Sequence, residues 1–125
     1  MARKIVSMQD AAAFLHHCFL YPEEEFMHIL FLRRDGMVLD RLMSQGSHDS
    51  VGVNLRSIFW RAMECDAFKI LIAHNHPSGI AEPSENDCGI TRLLVAVGKS
   101  LDVGLVDHLI YANGDWFSFR QAGLL

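Results

Sequence analysis

The sequence predicts an α/β fold in which a mixed central β-sheet is flanked by about three α-helices. Short apolar runs of strand length alternate with segments whose apolar residues recur at helical spacing. Turn residues at Asp35-Gly36 and Asn113-Gly114 separate neighbouring strands, which is typical of antiparallel hairpins. We therefore expect the order α-β-β-α-β-α-β-β within a single domain spanning residues 1–125.

The first elements are a helix and a β-hairpin. The helix begins at Ser7, a residue type that caps helices, and proline disfavours its continuation beyond Tyr21-Pro22. Residues 26–32 are apolar at both alternations, which indicates a central strand covered on both faces. Residues 37–44 are its predicted hairpin partner.

The later elements alternate between helix and strand, again by apolar spacing. In the second helix the apolar stripe is predicted to include Met63, and in the third helix it includes Leu93. In order, these elements are a polar loop over residues 45–50, a helix from about Val53, a buried strand over residues 68–73, a helix from near Ser84, a strand over residues 105–111 and a strand over residues 116–119.

The composition is that of a globular protein. Half of the 125 residues are hydrophobic, and no apolar run approaches the roughly 18 residues that a membrane span requires. The three cysteines form no CxxC pair or disulfide framework, and no signal-peptide pattern opens the chain, so we expect a cytoplasmic protein with no membrane partner. The net charge of -4 disfavours nucleic acid as a partner, because phosphate contacts depend on clustered Lys and Arg.

Two histidines near the predicted end of the third strand have the spacing of metal ligands. Because side chains alternate along a strand, His74 and His76 point to the same face. Asp87, in the first turn of the next helix, can supply a third ligand, and two histidines with one carboxylate compose a catalytic zinc site. Helix capping by Ser84 and Asp87 is the competing explanation. Capping does not account for the histidines, and a polar loop does not account for the rest.

The wording of this stretch resembles a known metalloprotease motif. His74-Asn75-His76-Pro77-Ser78-Gly79, followed by Pro83-Ser84 and Asp87, resembles the JAMM (MPN+) pattern H-x-H, seven residues, S-x-x-D, in the form found in the RadC group of JAB domains. Asp107-His108 and Ser118-Phe119 extend the likeness. The resemblance implies a cytidine-deaminase-like JAB arrangement of sheet and helices. It also implies one zinc ion held by His74, His76 and Asp87, with Ser84 beside the reacting centre.

The family also uses a glutamate at the start of an upstream strand, where Glu23-Glu24-Glu25 stands here. Counting back from the end of the strand at Leu32 selects Glu25, whereas the E-x-F spacing selects Glu24. Adjacent residues of a strand point to opposite faces, so only one of them can reach the metal. We favour Glu25, because this choice preserves the strand length up to the turn.

These assignments predict a zinc metalloprotease that hydrolyses peptide or isopeptide bonds. Glu25 would act as general base and Ser84 would donate a hydrogen bond to the developing oxyanion. Asn75 would support the metal ligands from behind or pack against the loop, and would not bind the metal itself. His108 is expected to be a structural or hydrogen-bonding residue and not a ligand. The resemblance implies a protein or peptide substrate, including ubiquitin-like proteins, and the short chain is compatible with a homodimer.

Two other functions compete with this prediction. One is a DNA-repair or DNA-binding module, since RadC proteins have carried a repair label, but the negative charge disfavours it. The other is a metal-free scaffold, like MPN domains that have lost their ligands. All ligand positions of the motif are present in this sequence, which disfavours the scaffold.

Overall fold

A computed structural model describes residues 3–19, 23–45 and 54–125. Over these residues the chain forms one mixed five-stranded sheet with three α-helices, which confirms the predicted α/β fold. The elements are α1 (Met8–Leu15), β1 (Phe26–Leu32), β2 (Val38–Gln45), α2 (Leu55–Glu64), β3 (Lys69–Asn75), α3 (Glu85–Ser100), β4 (Gly104–Ala112) and β5 (Asp115–Ser118).

The strands lie in the order β2-β1-β3-β4-β5, with β3 at the centre. β3 pairs with β1 in antiparallel fashion and with β4 in parallel fashion. A parallel pair requires a crossover connection, and here α3 provides it. The chain leaves the carboxyl end of β3 and enters the amino end of α3 after a loop over residues 76–84. The site residues of β3 and α3 lie on either side of this loop.

Both faces of the sheet are covered, which explains why β1 and β3 are apolar at both alternations. One face packs against α2 and α3, and its buried strand residues are Met27, Ile29, Phe31, Ile70, Ile72 and Leu105. The other face packs against α1 and the 3-10 turn that follows it, through Leu30, Leu32, Leu71, Ala73 and Leu109. His74 and His76 continue the alternation of Ile70 and Ile72, so they belong to the α3 face.

Several predicted boundaries shift. The first helix ends as an α-helix at Leu15 and continues as a 3-10 turn over His16–Phe19, while its predicted end at Tyr21-Pro22 lies outside the described residues. α2 begins at Leu55 after the N-cap Asn54, and the predicted start at Val53 and the loop beyond Gln45 also lie outside the described residues.

The predicted apolar stripes of two helices were too wide. Met63 of α2 and Leu93 of α3 are each more than half exposed, so neither faces the core. The turn between β4 and β5 is as predicted, because Asn113 and Gly114 both have positive φ, at 51° and 87°. Among the described residues, no helix has both the length and the apolar character needed to cross a lipid bilayer.

Candidate metal centre

The carboxyl end of β3 presents His74 and His76 side by side. β3 extends two residues beyond the predicted strand end, because its ladder with β4 continues through His74↔Ile110 and Asn75↔Tyr111. The two Nε2 atoms lie 2.9 Å apart. Nδ1 of His76 lies 3.0 Å from the carbonyl oxygen of Ile80, to which it can donate, so the loop after the strand fixes that ring. Both Nε2 lone pairs can then point toward one position.

Asp87 completes a triangle of donor atoms. Its Oδ2 lies 3.1 Å from Nε2 of His76, and its Oδ1 lies 3.3 Å from Nε2 of His74. Tetrahedral zinc ligands at about 2.0–2.1 Å from the metal are themselves about 3.3 Å apart. The observed separations of 2.9, 3.1 and 3.3 Å are close to this value, so the two imidazoles and the carboxylate fit one face of a zinc tetrahedron.

Ser84 and Asp87 also cap helix α3, and the capping bonds leave Asp87 beside the two histidines, so capping does not exclude a ligand role. The Ser84 hydroxyl accepts a hydrogen bond from the Asp87 amide at 3.0 Å, and Asp87 Oδ2 accepts one from the Ser84 amide at 2.9 Å. These two bonds orient the carboxylate toward the histidines. Because the Ser84 hydroxyl is the acceptor in its bond, it keeps its own proton for donation.

Glu25, and not Glu24, lies with the histidines. Met27 of β1 pairs with His74, and Glu25, two residues earlier, belongs to the same face of the sheet. One carboxylate oxygen of Glu25 and one ring nitrogen from each of His74 and His76 all lie within 4.8 Å of one another. The Glu24 carboxylate instead accepts a hydrogen bond from the Gln45 side chain at 3.1 Å. Four side chains, with Asp87 on one side and Glu25 on another, therefore converge at this position.

A buried hydrogen-bonded chain lies behind His74. His108 of β4 places Nε2 2.9 Å from Nδ1 of His74, and its own Nδ1 lies 2.7 Å from the Thr91 hydroxyl. Thr91 in turn donates to the backbone carbonyl of Asp87 at 2.7 Å. If Nε2 of His74 keeps its lone pair for a metal, Nδ1 must carry the proton and donate to His108. Each of these hydrogen bonds then has one donor and one acceptor, and the series runs from His74 to Asp87, two of the predicted ligands.

Comparison with known proteins identifies the group to which this architecture belongs. The profile of the RadC-like JAB domain matches residues 5–124. The chain belongs to the RadC-like JAB domain family. A UPF0758 protein of Chlorobaculum parvum is 36% identical over 124 residues, covering 98% of this chain and 56% of that protein. A UPF0758 protein of Alcanivorax borkumensis is 37% identical over 102 residues, covering 82% of this chain and 46% of that protein. The chain thus spans about half the length of these curated relatives.

The electrostatics of this RadC-like site keep His108 neutral and Asp87 ionised. Burial, with the nearby charge of His74, lowers the pKa of His108 to about 3. His108 is therefore neutral, as the hydrogen-bonded series from His74 to Thr91 requires. Burial acts to raise the pKa of Asp87, but the adjacent imidazoles of His74 and His76 hold that pKa well below its usual range in the metal-free protein. The hydrogen bond to Asp87 raises the pKa of His76. Asp87 is therefore an ionised carboxylate at neutral pH.

Two residues of the RadC-like site contribute in ways that sequence patterns did not fully predict. Asn75, which was expected to support the ligands from behind or to pack against the loop, contacts the backbone at the start of β1. Its Oδ1 accepts from the Phe26 amide at 2.8 Å, and its Nδ2 donates to the Glu24 carbonyl at 2.8 Å. Thr91 was missed, although its position one helical turn after Asp87 is a signal that it shares the face of that ligand.

Proposed function

We propose that this RadC-like JAB domain is a zinc-dependent hydrolase of peptide or isopeptide bonds. The observation that carries the proposal is the convergence of His74, His76 and Asp87 with a second carboxylate, from Glu25, beside them. Three ligands with an adjacent acid or base is the composition of catalytic, as opposed to structural, zinc sites. The net charge of -4 makes a protein or peptide a better substrate than nucleic acid.

His74, His76 and Asp87 would hold the zinc ion. When bound in such a site, zinc lowers the pKa of water from 15.7 to about 7 and polarises a carbonyl oxygen. The imidazoles would bind through Nε2, because Nδ1 of His76 faces the Ile80 carbonyl and Nδ1 of His74 faces His108. Each ring is thereby held in the tautomer that leaves the Nε2 lone pair available.

Glu25 would act as the general base. Its carboxylate lies close enough to the His74 and His76 nitrogens to take a proton from an attacking water held between them. The same carboxyl group would then pass the proton to the leaving amine. This second transfer suits an amide or isopeptide substrate in particular, because an amine is a poor leaving group unless it is protonated.

Ser84 would stabilise the oxyanion that develops on the scissile carbonyl. Its hydroxyl proton remains available for donation, since the hydroxyl accepts the Asp87 amide. Removal of one such donor from an oxyanion hole costs about 2.7–4 kcal/mol of transition-state stabilisation. The Ser84 side chain is also exposed at the amino end of α3, where a substrate can reach it.

Metal analysis combined with matched glutamate variants tests this function. Protein purified without added zinc should contain near-stoichiometric zinc, and His74→Ala or Asp87→Ala should lose it. Glu25→Gln should keep the metal but lose turnover of peptide or ubiquitin-like fusion substrates. Glu24→Gln is the matched control and should keep both, because Glu24 bonds Gln45 instead. A wild-type protein without metal would contradict the proposal.

A further inference from the structure

The peptide groups on either side of Glu25 are both bonded to one side chain. Asn75 accepts from the Phe26 amide through Oδ1 and donates to the Glu24 carbonyl through Nδ2, each at 2.8 Å. We propose that Asn75 is the positioning residue of Glu25, holding the backbone from which its carboxylate reaches the site. This inference rests on the proposed function for its catalytic consequence, but the bonds themselves can be tested without turnover.

The need for such a residue follows from where the strand ladder ends. Backbone pairing of β1 with β3 runs from Leu32↔Lys69 to Met27↔His74. One step further along, Asn75 stands on β3, and its carboxamide carries the same donor and acceptor as a peptide group. The Asn75 side chain therefore continues the pairing of β1 with β3 beyond Met27, through Phe26 and Glu24, the two residues that flank Glu25.

The two hydrogen bonds of Asn75, here called the Asn75 clamp, act on the backbone of the proposed base and not on the proposed metal ligands. Asn75 lies between His74 and His76 in sequence, so its side chain points to the opposite face of β3. Asn75 is 1% exposed, so water does not compete for its two bonds. Asn75 thus contacts the backbone around Glu25 and makes no hydrogen bond to the ring nitrogens of His74 or His76.

Among side chains of this length, only asparagine offers both an acceptor for the Phe26 amide and a donor for the Glu24 carbonyl. Aspartate keeps the acceptor for the Phe26 amide but replaces the donor to Glu24 with a second acceptor. Alanine removes both groups, and glutamine displaces them by one methylene. A displacement of about 1 Å at a reacting group can cost about 100-fold in rate, which is the scale on which a loosened Glu25 would act.

The central test is Asn75→Ala in the zinc-loaded protein. We expect kcat to fall about 10- to 100-fold while KM and zinc stoichiometry stay at wild-type values. Independently of activity, amide hydrogen exchange at Phe26 should accelerate about tenfold or more, while Leu30 in the paired part of β1 keeps its protection. Asn54→Ala is the matched control, because Asn54 also bonds a backbone amide, that of Ser57, as the N-cap of α2. It should reduce stability without changing kcat.

Several outcomes would overturn the proposal. These are unchanged turnover in Asn75→Ala, loss of zinc from that variant, or an equal loss of kcat in Asn54→Ala. If the alanine variant does not fold, Asn75→Asp serves instead, and wild-type turnover there would show that the donor to Glu24 is unnecessary. If the wild type hydrolyses no substrate, the proposed function fails alone. A crystal structure of zinc-loaded Asn75→Ala then decides: a displaced Glu25 carboxylate supports the clamp, and an unmoved one refutes it.

Discussion

Nε2 of His108 lies 2.9 Å from Nδ1 of His74, so two buried histidines share one hydrogen bond. Metal-binding histidines usually donate this second ring proton to a carboxylate, a backbone carbonyl or water. Here the hydrogen-bond partner is a neutral imidazole that is itself stacked on the Phe119 ring, with centroids 4.6 Å apart. The orientation of His74 therefore depends on His108 of β4, which contacts the side of the ring that faces away from Asp87.

His108→Phe should weaken zinc binding while preserving most of the packing volume beside Phe119. Loss of the acceptor leaves Nδ1 of His74 without its partner, and changes of this kind typically cost 10- to 100-fold in metal affinity. Competition with a chelator of known affinity measures the effect, with circular dichroism to verify that the variant is folded. Wild-type affinity in a folded variant would show that His108 does not orient the ligand.

Thr91→Val should destabilise the protein although it is nearly isosteric. The hydroxyl both accepts from His108 and donates to the Asp87 carbonyl. Valine leaves the buried Nδ1–H group of His108 unsatisfied, whereas the Asp87 carbonyl keeps the backbone amide of residue 91 in the helix. Each unsatisfied group costs about 1–3 kcal/mol, so we expect a loss in that range by urea denaturation. Thr91→Ser retains the hydroxyl and is the control, and it should lose less. Equal losses in the two variants would place the effect in packing and not in the hydrogen bonds.

Ser84→Ala should lose both stability and turnover. As the N-cap of α3, Ser84 should contribute about 1 kcal/mol of stability, and as an oxyanion donor about 100- to 1000-fold in kcat. Ser7 provides the matched control, because its hydroxyl caps α1 by accepting from the Asp10 amide at 3.1 Å. Ser7→Ala should show a comparable loss in urea denaturation with an unchanged kcat. Full turnover in Ser84→Ala would show that this serine caps α3 but does not stabilise the oxyanion.

His28, which lies on the sheet face opposite the candidate site, should make the free energy of unfolding depend on pH. Burial, with the charges of Arg41 and His17, lowers its pKa from 6.5 to about 4. The unfolded chain therefore binds the proton first, and stability that is complete above pH 6.5 is lost as pH falls toward 4. Between pH 7.5 and pH 5 this contribution is about 1–2 kcal/mol. The loss of unfolding free energy over that interval should be smaller by this amount in His28→Leu, and an identical loss in both proteins would contradict the assignment.

Local sequence patterns were sufficient for most of the fold. Alternation and turn chemistry predicted β1 at its observed bounds, because a strand buried on both faces has an unbroken apolar run. The same alternation placed His74 and His76 on one face. The full length of β3 could not be predicted, because its last two residues, His74 and Asn75, pair with Ile110 and Tyr111 far along the chain.

The hydrogen bonds that hold the site together join residues far apart in the sequence, so the spacing of residues along the chain does not predict them. Asn75 bonds Phe26 across 49 residues, and His108 bonds His74 across 34 residues. Both side chains were visible in the sequence as polar residues in or directly after an apolar strand. Its partner is determined by strand order and register, which follow from the assembled sheet. Glu25 and Glu24 were likewise distinguishable only by a register count.

The pairing of Met27 with His74 also determines where a residue can be inserted without moving Glu25 away from the histidines. A residue inserted ahead of Glu24 lengthens a connection and leaves the carboxylate where it is. A single residue inserted between Glu25 and Met27 instead turns Glu25 to the α1 side of the sheet, because strand faces alternate at every position. Homologous chains that keep this chemistry should therefore vary in length before the glutamate and hold a constant count from it into β1.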